Sequence, residues 1–386
     1  MTPAARLAAA ITLLDPILAG APAEKQLTGW ARANRYAGSG DRAAIRDLVF
    51  DALRCARSYG HLGGGTDGRA LMIGAQRAAG HDPAALFTGV GYGAAELTQE
   101  ERAYHAPDAP RAVALDCPDW LLPLFDAAHG ADTDAILAAL QQRAPVFLRV
   151  NLRRTDRETA IAALAQDGVS AAPHALSPSA LEVTQNARRL AQTAAYRDGL
   201  VELQDAASQA LVDMLPLHNG ARVLDYCAGG GGKSLAMAAR ADLQIDCFDA
   251  DPARMRDLPV RATRAGQAEA LTLTDSPQGP YDLVLCDAPC SGSGAWRRSP
   301  QAKWQLTAAR LEELAQIQAD ILDQAAPLVA ASGMLAYATC SLLEAENGDA
   351  ISGFLARNAG WRLESSRRLT PLDGGDGFFC ALLTRG

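Results

Sequence analysis

No two of the eight cysteines stand at C-x-x-C spacing, and the six histidines are scattered singly, which excludes a zinc site of the usual ligand pattern. A long chain with unpatterned thiols reads as a reduced, cytoplasmic protein. No apolar run is long enough to span a bilayer. The one near the N-terminus, LAAAITLL after Arg6, is broken by Asp15 and Pro16 and reads as a first amphipathic helix, with no membrane partner implied. An excess of positive charge is missing too: the formal net charge is -8 and the pI is near 5.3. That argues against a globally basic nucleic-acid binder and leaves only a local basic groove for such a partner. Internal repeats and low-complexity tracts are also absent.

The 386 residues are 49% hydrophobic and 21% charged, a composition that folds, at a length that accommodates two or three domains. Three styles of sequence follow one another. Residues 1–138 carry helical periodicity, as in DRAAIRDLVFDALRCARSYG, where Ile45, Leu48, Val49, Leu53 and Ala56 share a face. In 139–200, VFLRVNLRR and ALEVT read as strands, and RETAIAALAQDG as a helix ended by Gly168. In 201–386, the runs ARVLDYCA, QIDCFDAD, ALTLTDS, YDLVLCDAP and GMLAYATCS alternate with helical stretches, which predicts a parallel sheet covered on both faces. Ligands bind at the carboxyl ends of such strands, where Asp225, Cys227, Asp249, Asp275, Asp287, Cys290 and Cys340 fall.

The stretch VLDYCAGGGGKS carries a glycine loop after a strand. A phosphate loop would need glycine where Cys227 stands, so that reading fails at its first position. Asp249, about twenty residues on, suits the hydroxyls of a ribose. Loop and acid together point to a nucleoside-bearing cofactor, with a dinucleotide and S-adenosylmethionine both open. Further on, DAPCSGSGAWRRSPQAKW offers Arg297, Arg298, Lys303 and Trp304 as a cluster for phosphates and a stacked base. YATCS then puts Cys340 at the end of another strand.

Taken together, FLRVN, LQDAASQ, DYCAGGGGKS, DAPCSGSG with RR and KW following, YATCS with EN following, and GDGFF resemble the RNA cytosine-5 methyltransferases. That family includes the NusB-fused small-subunit rRNA enzymes, and the resemblance covers roughly residues 140–386. GDRAAIRDLVFDALR resembles the NusB-type helical domain. The resemblance implies a Rossmann-like S-adenosylmethionine-dependent methyltransferase domain, a small α+β subdomain and an all-α, RNA-binding N-terminal domain. It implies that Cys227, Ala228, Gly229, Gly230, Gly231, Gly232 and Lys233 wrap the methionine part of S-adenosylmethionine and that Asp249 binds its ribose. Asp275 would lie near the adenine, and Asp287 would border cofactor and target base. Cys340 would be the nucleophile and Cys290 the helper thiol. Gly230 stands where the family has proline, which makes this loop the more flexible one. The expected partner of a monomeric enzyme is small-subunit rRNA. A tRNA substrate and a non-catalytic assembly role are the alternatives.

Overall fold

In the computed structural model, which describes residues 1–386, Met1–Arg143 and the segment Trp296–Gln305 form one unit, and Ala144–Ala295 with Leu306–Gly386 form a second. The first unit is helical: α1 (Pro3–Leu18), α2 (Ala23–Ala33), α3 (Ser39–Arg54), α4 (Ala56–Gly63) and α5 (Gly68–Ala78) lead into shorter helical turns. Local chemistry starts these helices where the side chains permit, Thr2 accepting from Ala5 N and Asp67 from Ala70 N. Their apolar faces meet in a core that includes Leu7, Leu14, Ile45, Val49, Leu53, Leu71 and Ile73. Against α4, α5 packs backbone to backbone, since a Cβ at Gly74 would stand 1.8 Å from the Tyr59 carbonyl oxygen.

The second unit begins with a four-stranded antiparallel sheet. Its strands are β1 (Val146–Val150), β2 (Ser170–Pro173), β3 (Ala180–Gln185) and β4 (Val201–Leu203), in the order β2-β3-β1-β4. The helix Arg157–Gln166, capped by Asp156, packs Ala160 and Leu164 against Leu148, Val150, Leu181 and Val183.

A seven-stranded sheet follows: β5 (Arg222–Asp225), β6 (Gln244–Cys247), β7 (Leu271–Leu273), β8 (Tyr281–Asp287), β9 (Val329–Thr339), β10 (Trp361–Leu369) and β11 (Phe378–Arg385). The order is β10-β11-β9-β8-β5-β6-β7, and β11 alone runs against its neighbours. Successive residues of the central strands enter opposite cores. Val223, Leu283 and Leu285 join one apolar layer, and Leu224, Val284 and Cys286 the other. The five strands expected from sequence are therefore joined by two more beyond β9. No helix is long and apolar enough to cross a membrane.

Candidate active site

From β5 the chain order runs one way through β6 to β7 and the other way through β8 to β9, so the carboxyl ends of β5 and β8 flank the point where the order reverses. The glycine loop starts there. Gly229 (φ 48°) and Gly231 (φ 75°) adopt left-handed backbone, and a Cβ at Gly231 would lie 2.1 Å from Leu258 Cδ1. The loop is tied to the next strand, because Gly229 N donates to Asp249 Oδ2 at 2.9 Å. Asp251 N donates to the other Asp249 oxygen at 3.0 Å. Arg254, whose side chain is 53% exposed, pairs with this buried carboxylate at 3.1 Å. From the small sheet, the buried Arg149 donates to the Gly232 carbonyl at 2.7 Å, and Gln204 Nε2 donates to the same oxygen at 3.2 Å.

Asp225, at the end of β5, is 1% exposed. Its Oδ2 accepts from Ser234 Oγ at 2.6 Å, while Oδ1 is buried without a partner. Burial, reinforced by the charges of Asp287 and Asp249, pushes its carboxyl up to about 6. Lys233 donates to Asp287 Oδ2 at 2.5 Å. Burial works to strip the Lys233 ammonium, but the Asp287 carboxylate outweighs it and holds the group above its ordinary value. The cleft thus gathers Asp225, Asp249 and Asp287 around glycine backbone, with its lysine ammonium already held in an ion pair. Such a site repels a pyrophosphate and fits a cationic nucleoside. S-adenosylmethionine has that chemistry; a dinucleotide does not. Asp275 is exposed, two residues beyond the end of β7.

The two thiols converge. Cys290 follows β8 and Cys340 follows β9, and their Sγ atoms are 3.4 Å apart. Their loops are laced together, with Gly294 N donating to the Cys340 carbonyl at 2.9 Å and Leu342 N to Ser293 Oγ at 2.8 Å. The Cys340 sulfur beside it, and then burial, push the Cys290 thiol well above its ordinary range.

The basic cluster expected to hold RNA is a different matter. Trp296–Gln305 belongs to the helical unit, where it serves the C-terminus of α3. Trp304 Nε1 donates to the Leu53 carbonyl at 2.6 Å, and Lys303 Nζ to that of Arg54 at 3.0 Å. The last carbonyls of a helix lack intrahelical donors, and these side chains supply them. Arg297 is 5% and Lys303 3% exposed, with the Arg297 carbonyl accepting from Arg54 Nε at 2.8 Å. Neither cation is offered to a phosphate, and the Trp304 indole N–H is engaged as well. Of the four residues only Arg298 and part of Trp304 reach the surface.

Comparison with known proteins adds the family. Residues 212–384 match the family described as 16S rRNA methyltransferase RsmB/F, and 117–188 match the ferredoxin-like domain of RsmF/B-like methyltransferases. The ribosomal RNA small subunit methyltransferase B of Citrobacter koseri is 33% identical over 306 residues, covering 75% of this chain and 71% of the relative. The chain belongs to the RsmB/F methyltransferase family. The protein of the same name from Serratia proteamaculans is 34% identical over 289 residues, spanning 69% of this chain and 66% of the relative. The alignments therefore cover about two thirds of the relatives' length. In fold, the chain is similar to the crystal structure of PH0851 (TM-score 0.79, 23% identity, 100% of this chain and 99% of that one). It also resembles a methyltransferase homolog protein from Pyrococcus horikoshii (TM-score 0.62, 22% identity, 72% and 98%). By family and fold, the second unit is an S-adenosylmethionine-dependent methyltransferase domain of the RsmB/F type.

Four contributors to the site lay outside the residues expected from sequence: Arg149, Gln204, Arg254, and Glu346, whose Oε1 accepts from Ser291 N beside Cys290 at 2.7 Å. The first two sit in FLRVN and LQDAASQ and the last in the EN after YATCS, stretches whose resemblance was visible but whose purpose was not. Nothing in the sequence singles out Arg254.

Proposed function

We propose that this protein methylates carbon 5 of cytosine in RNA, with small-subunit rRNA as substrate, through a covalent bond between Cys340 and carbon 6. The observation that carries this reading is the 3.4 Å approach of Cys290 Sγ and Cys340 Sγ at neighbouring strand ends beside the cofactor cleft. The name of the curated relatives favours rRNA over tRNA.

Carbon 5 of cytosine belongs to an aromatic ring and is a poor nucleophile. Addition of the Cys340 thiolate to carbon 6 forms a C–S bond and moves the ring electron pair toward carbon 5. Lys233, paired with Asp287, keeps a positive charge within reach of the Cys340 sulfur. Asp287 is the acid assigned to ring nitrogen 3, to which it gives a proton as negative charge develops there and from which it takes the proton back when Cys340 leaves. Bound between the glycine loop and Asp249, S-adenosylmethionine supplies the electrophilic methyl group. Carbon 5 afterwards carries both methyl and proton. Cys290, its own thiol proton released to water, takes that proton as a thiolate, the C5–C6 double bond re-forms, the C6–S bond breaks and Cys340 leaves as thiolate.

The timing of charge suits the second thiol. While Cys340 is free, its sulfur is the largest influence keeping Cys290 protonated. Once Cys340 is a neutral thioether it carries no negative charge beside Cys290, which removes one obstacle to ionising that thiol at the step that needs a base.

Positive charge for the RNA backbone lies in the helical unit. A groove of about 700 Å³ is lined by Trp30, Arg32, Arg35, Arg42 and Arg46. Glu24 neutralises Arg46 of the groove itself, while the other nearby carboxylates are engaged elsewhere, Asp41 with Arg6 and the N-terminal amine and Asp47 with Arg143. Arg32, Arg35 and Arg42 are exposed and carry no ion pair, a set of free cations suited to phosphates, with Trp30 as a stacking surface.

Bisulfite sequencing of unmodified 16S rRNA incubated with the protein and S-adenosylmethionine tests the reading. It predicts a newly protected cytosine that requires Cys340. Methyl transfer without any protected cytosine would overturn it.

A further inference from the structure

Glu346 is 0% exposed, and no cation pairs with it. A buried carboxylate without a counter-charge is costly unless hydrogen bonds replace the lost water, and here four do. Its Oε1 accepts from Ser291 N at 2.7 Å and from Gln318 Nε2 at 3.1 Å. Its Oε2 accepts from Ser291 Oγ and Ser341 Oγ, each at 2.5 Å. The surrounding protons run the same way. Leu342 N donates to Ser293 Oγ at 2.8 Å, Ser293 Oγ lies 3.0 Å from Ser341 Oγ, and the hydroxyls can all direct their protons toward the one carboxyl group. The two serines that Glu346 grips are the residues that follow Cys290 and Cys340 in the chain.

We propose that Glu346 is a positioning residue that sets the spacing of the two thiols, and above all the placement of Cys290. This rests on the roles given to the thiols above. The asymmetry comes from what each loop retains without Glu346. The Cys340 loop keeps Thr339 Oγ1 on Asn347 Oδ1 at 2.6 Å and Asn347 Nδ2 on the Ser341 carbonyl at 3.0 Å. Ser291, beside Cys290, gives Glu346 both its backbone N–H and its hydroxyl, where Ser341, beside Cys340, gives only its hydroxyl. Loss of Glu346 therefore loosens the proton-removing thiol more than the adding one. A displacement of about 1 Å in such a group costs on the order of 100-fold.

The test uses the full chain with both cysteines intact, an in vitro transcript of 16S rRNA, and S-adenosylmethionine. Glu346→Ala should accumulate a denaturant-resistant protein–RNA adduct, with turnover reduced by about 100-fold and S-adenosylmethionine affinity within about threefold of the parent. Glu346→Gln, which keeps the volume and one acceptor oxygen, should recover at least tenfold of that turnover. Ser291→Ala, a milder change that removes one donor, should show the same adduct in smaller amount and decides the matter if Glu346→Ala does not fold. Cys290→Ala is run beside them. If Cys290→Ala traps RNA but neither Glu346→Ala nor Ser291→Ala does, Glu346 is scaffolding and the proposal is overturned while the thiol roles stand. If Cys290→Ala traps nothing, the thiol roles fail and the proposal falls with them.

Discussion

Lys233 Nζ stands 2.5 Å from Asp287 Oδ2, joining the end of the glycine loop to the end of β8. That pair decides how the GGGGKS stretch works. In a phosphate loop the lysine would be free to meet an anion; here it is buried against a carboxylate and over the Phe378 ring, 5.2 Å from its centroid. The acidic cleft around it selects for a cationic cofactor.

Asp225 carries a cost that the unliganded protein bears. Its carboxyl, raised from 3.8 to about 6 by burial, binds a proton more tightly folded than unfolded. The stability it lends is full below about pH 4 and is lost as pH rises through about 6. At pH 7.5, Asp225→Asn should therefore raise the unfolding free energy of the unliganded protein by roughly 1–3 kcal/mol. Denaturant titrations of both proteins at pH 4 and pH 7.5 check this. A gain at pH 7.5 that shrinks toward pH 4 is expected; no gain at pH 7.5 would remove Asp225 as a strained group.

Asp249 and Arg254 should act in opposite directions on the cofactor. A carboxylate has about four acceptor positions, and Gly229 N, Asp251 N and Arg254 occupy most of them. Arg254 is half exposed and is the partner a ribose can displace. Asp249→Ala should weaken S-adenosylmethionine binding by about 1–3 kcal/mol, whereas Arg254→Ala should leave it equal or tighter. Calorimetry measures both, and an unchanged affinity for Asp249→Ala would sink the ribose assignment.

How much of this was legible in the sequence depended on where each residue lies. The central strands announced themselves because both faces are buried, and chemistry at their carboxyl ends follows from sheet topology. The outer strand β10, WRLESSRRL, was missed because most of its residues are exposed and offer no apolar alternation. The RRSPQAKW cluster was misread for a different reason. Charge and an aromatic look like a surface in one dimension, and nothing local reveals that the last carbonyls of α3, some 250 residues earlier, require those donors. Glu346 was similarly hidden: an acid within LEAEN reads as solvated until the serines beside the two thiols are seen to converge on it.

RNA affinity should follow the α2–α3 groove and not the Trp296–Gln305 segment. Replacing Arg32, Arg35 and Arg42 together by Glu should remove about 2 from the slope of log affinity against log salt, on single-stranded RNA. Lys303→Met should leave that slope unchanged while altering the melting of the helical unit, since Lys303 caps α3 internally. Filter binding across a salt series reads both. A flat response to the triple change would return the groove to ordinary surface.

The central claim is that Cys340 adds to the base and Cys290 removes the proton that lets it leave. Denaturing electrophoresis of protein incubated with 16S rRNA transcript and S-adenosylmethionine tests it directly, across Cys290→Ala, Cys340→Ala and the double variant. The account predicts a slow-migrating protein–RNA band for Cys290→Ala alone, because addition and methyl transfer proceed without it while release does not. A band for Cys340→Ala in place of Cys290→Ala, or none for either, would contradict it.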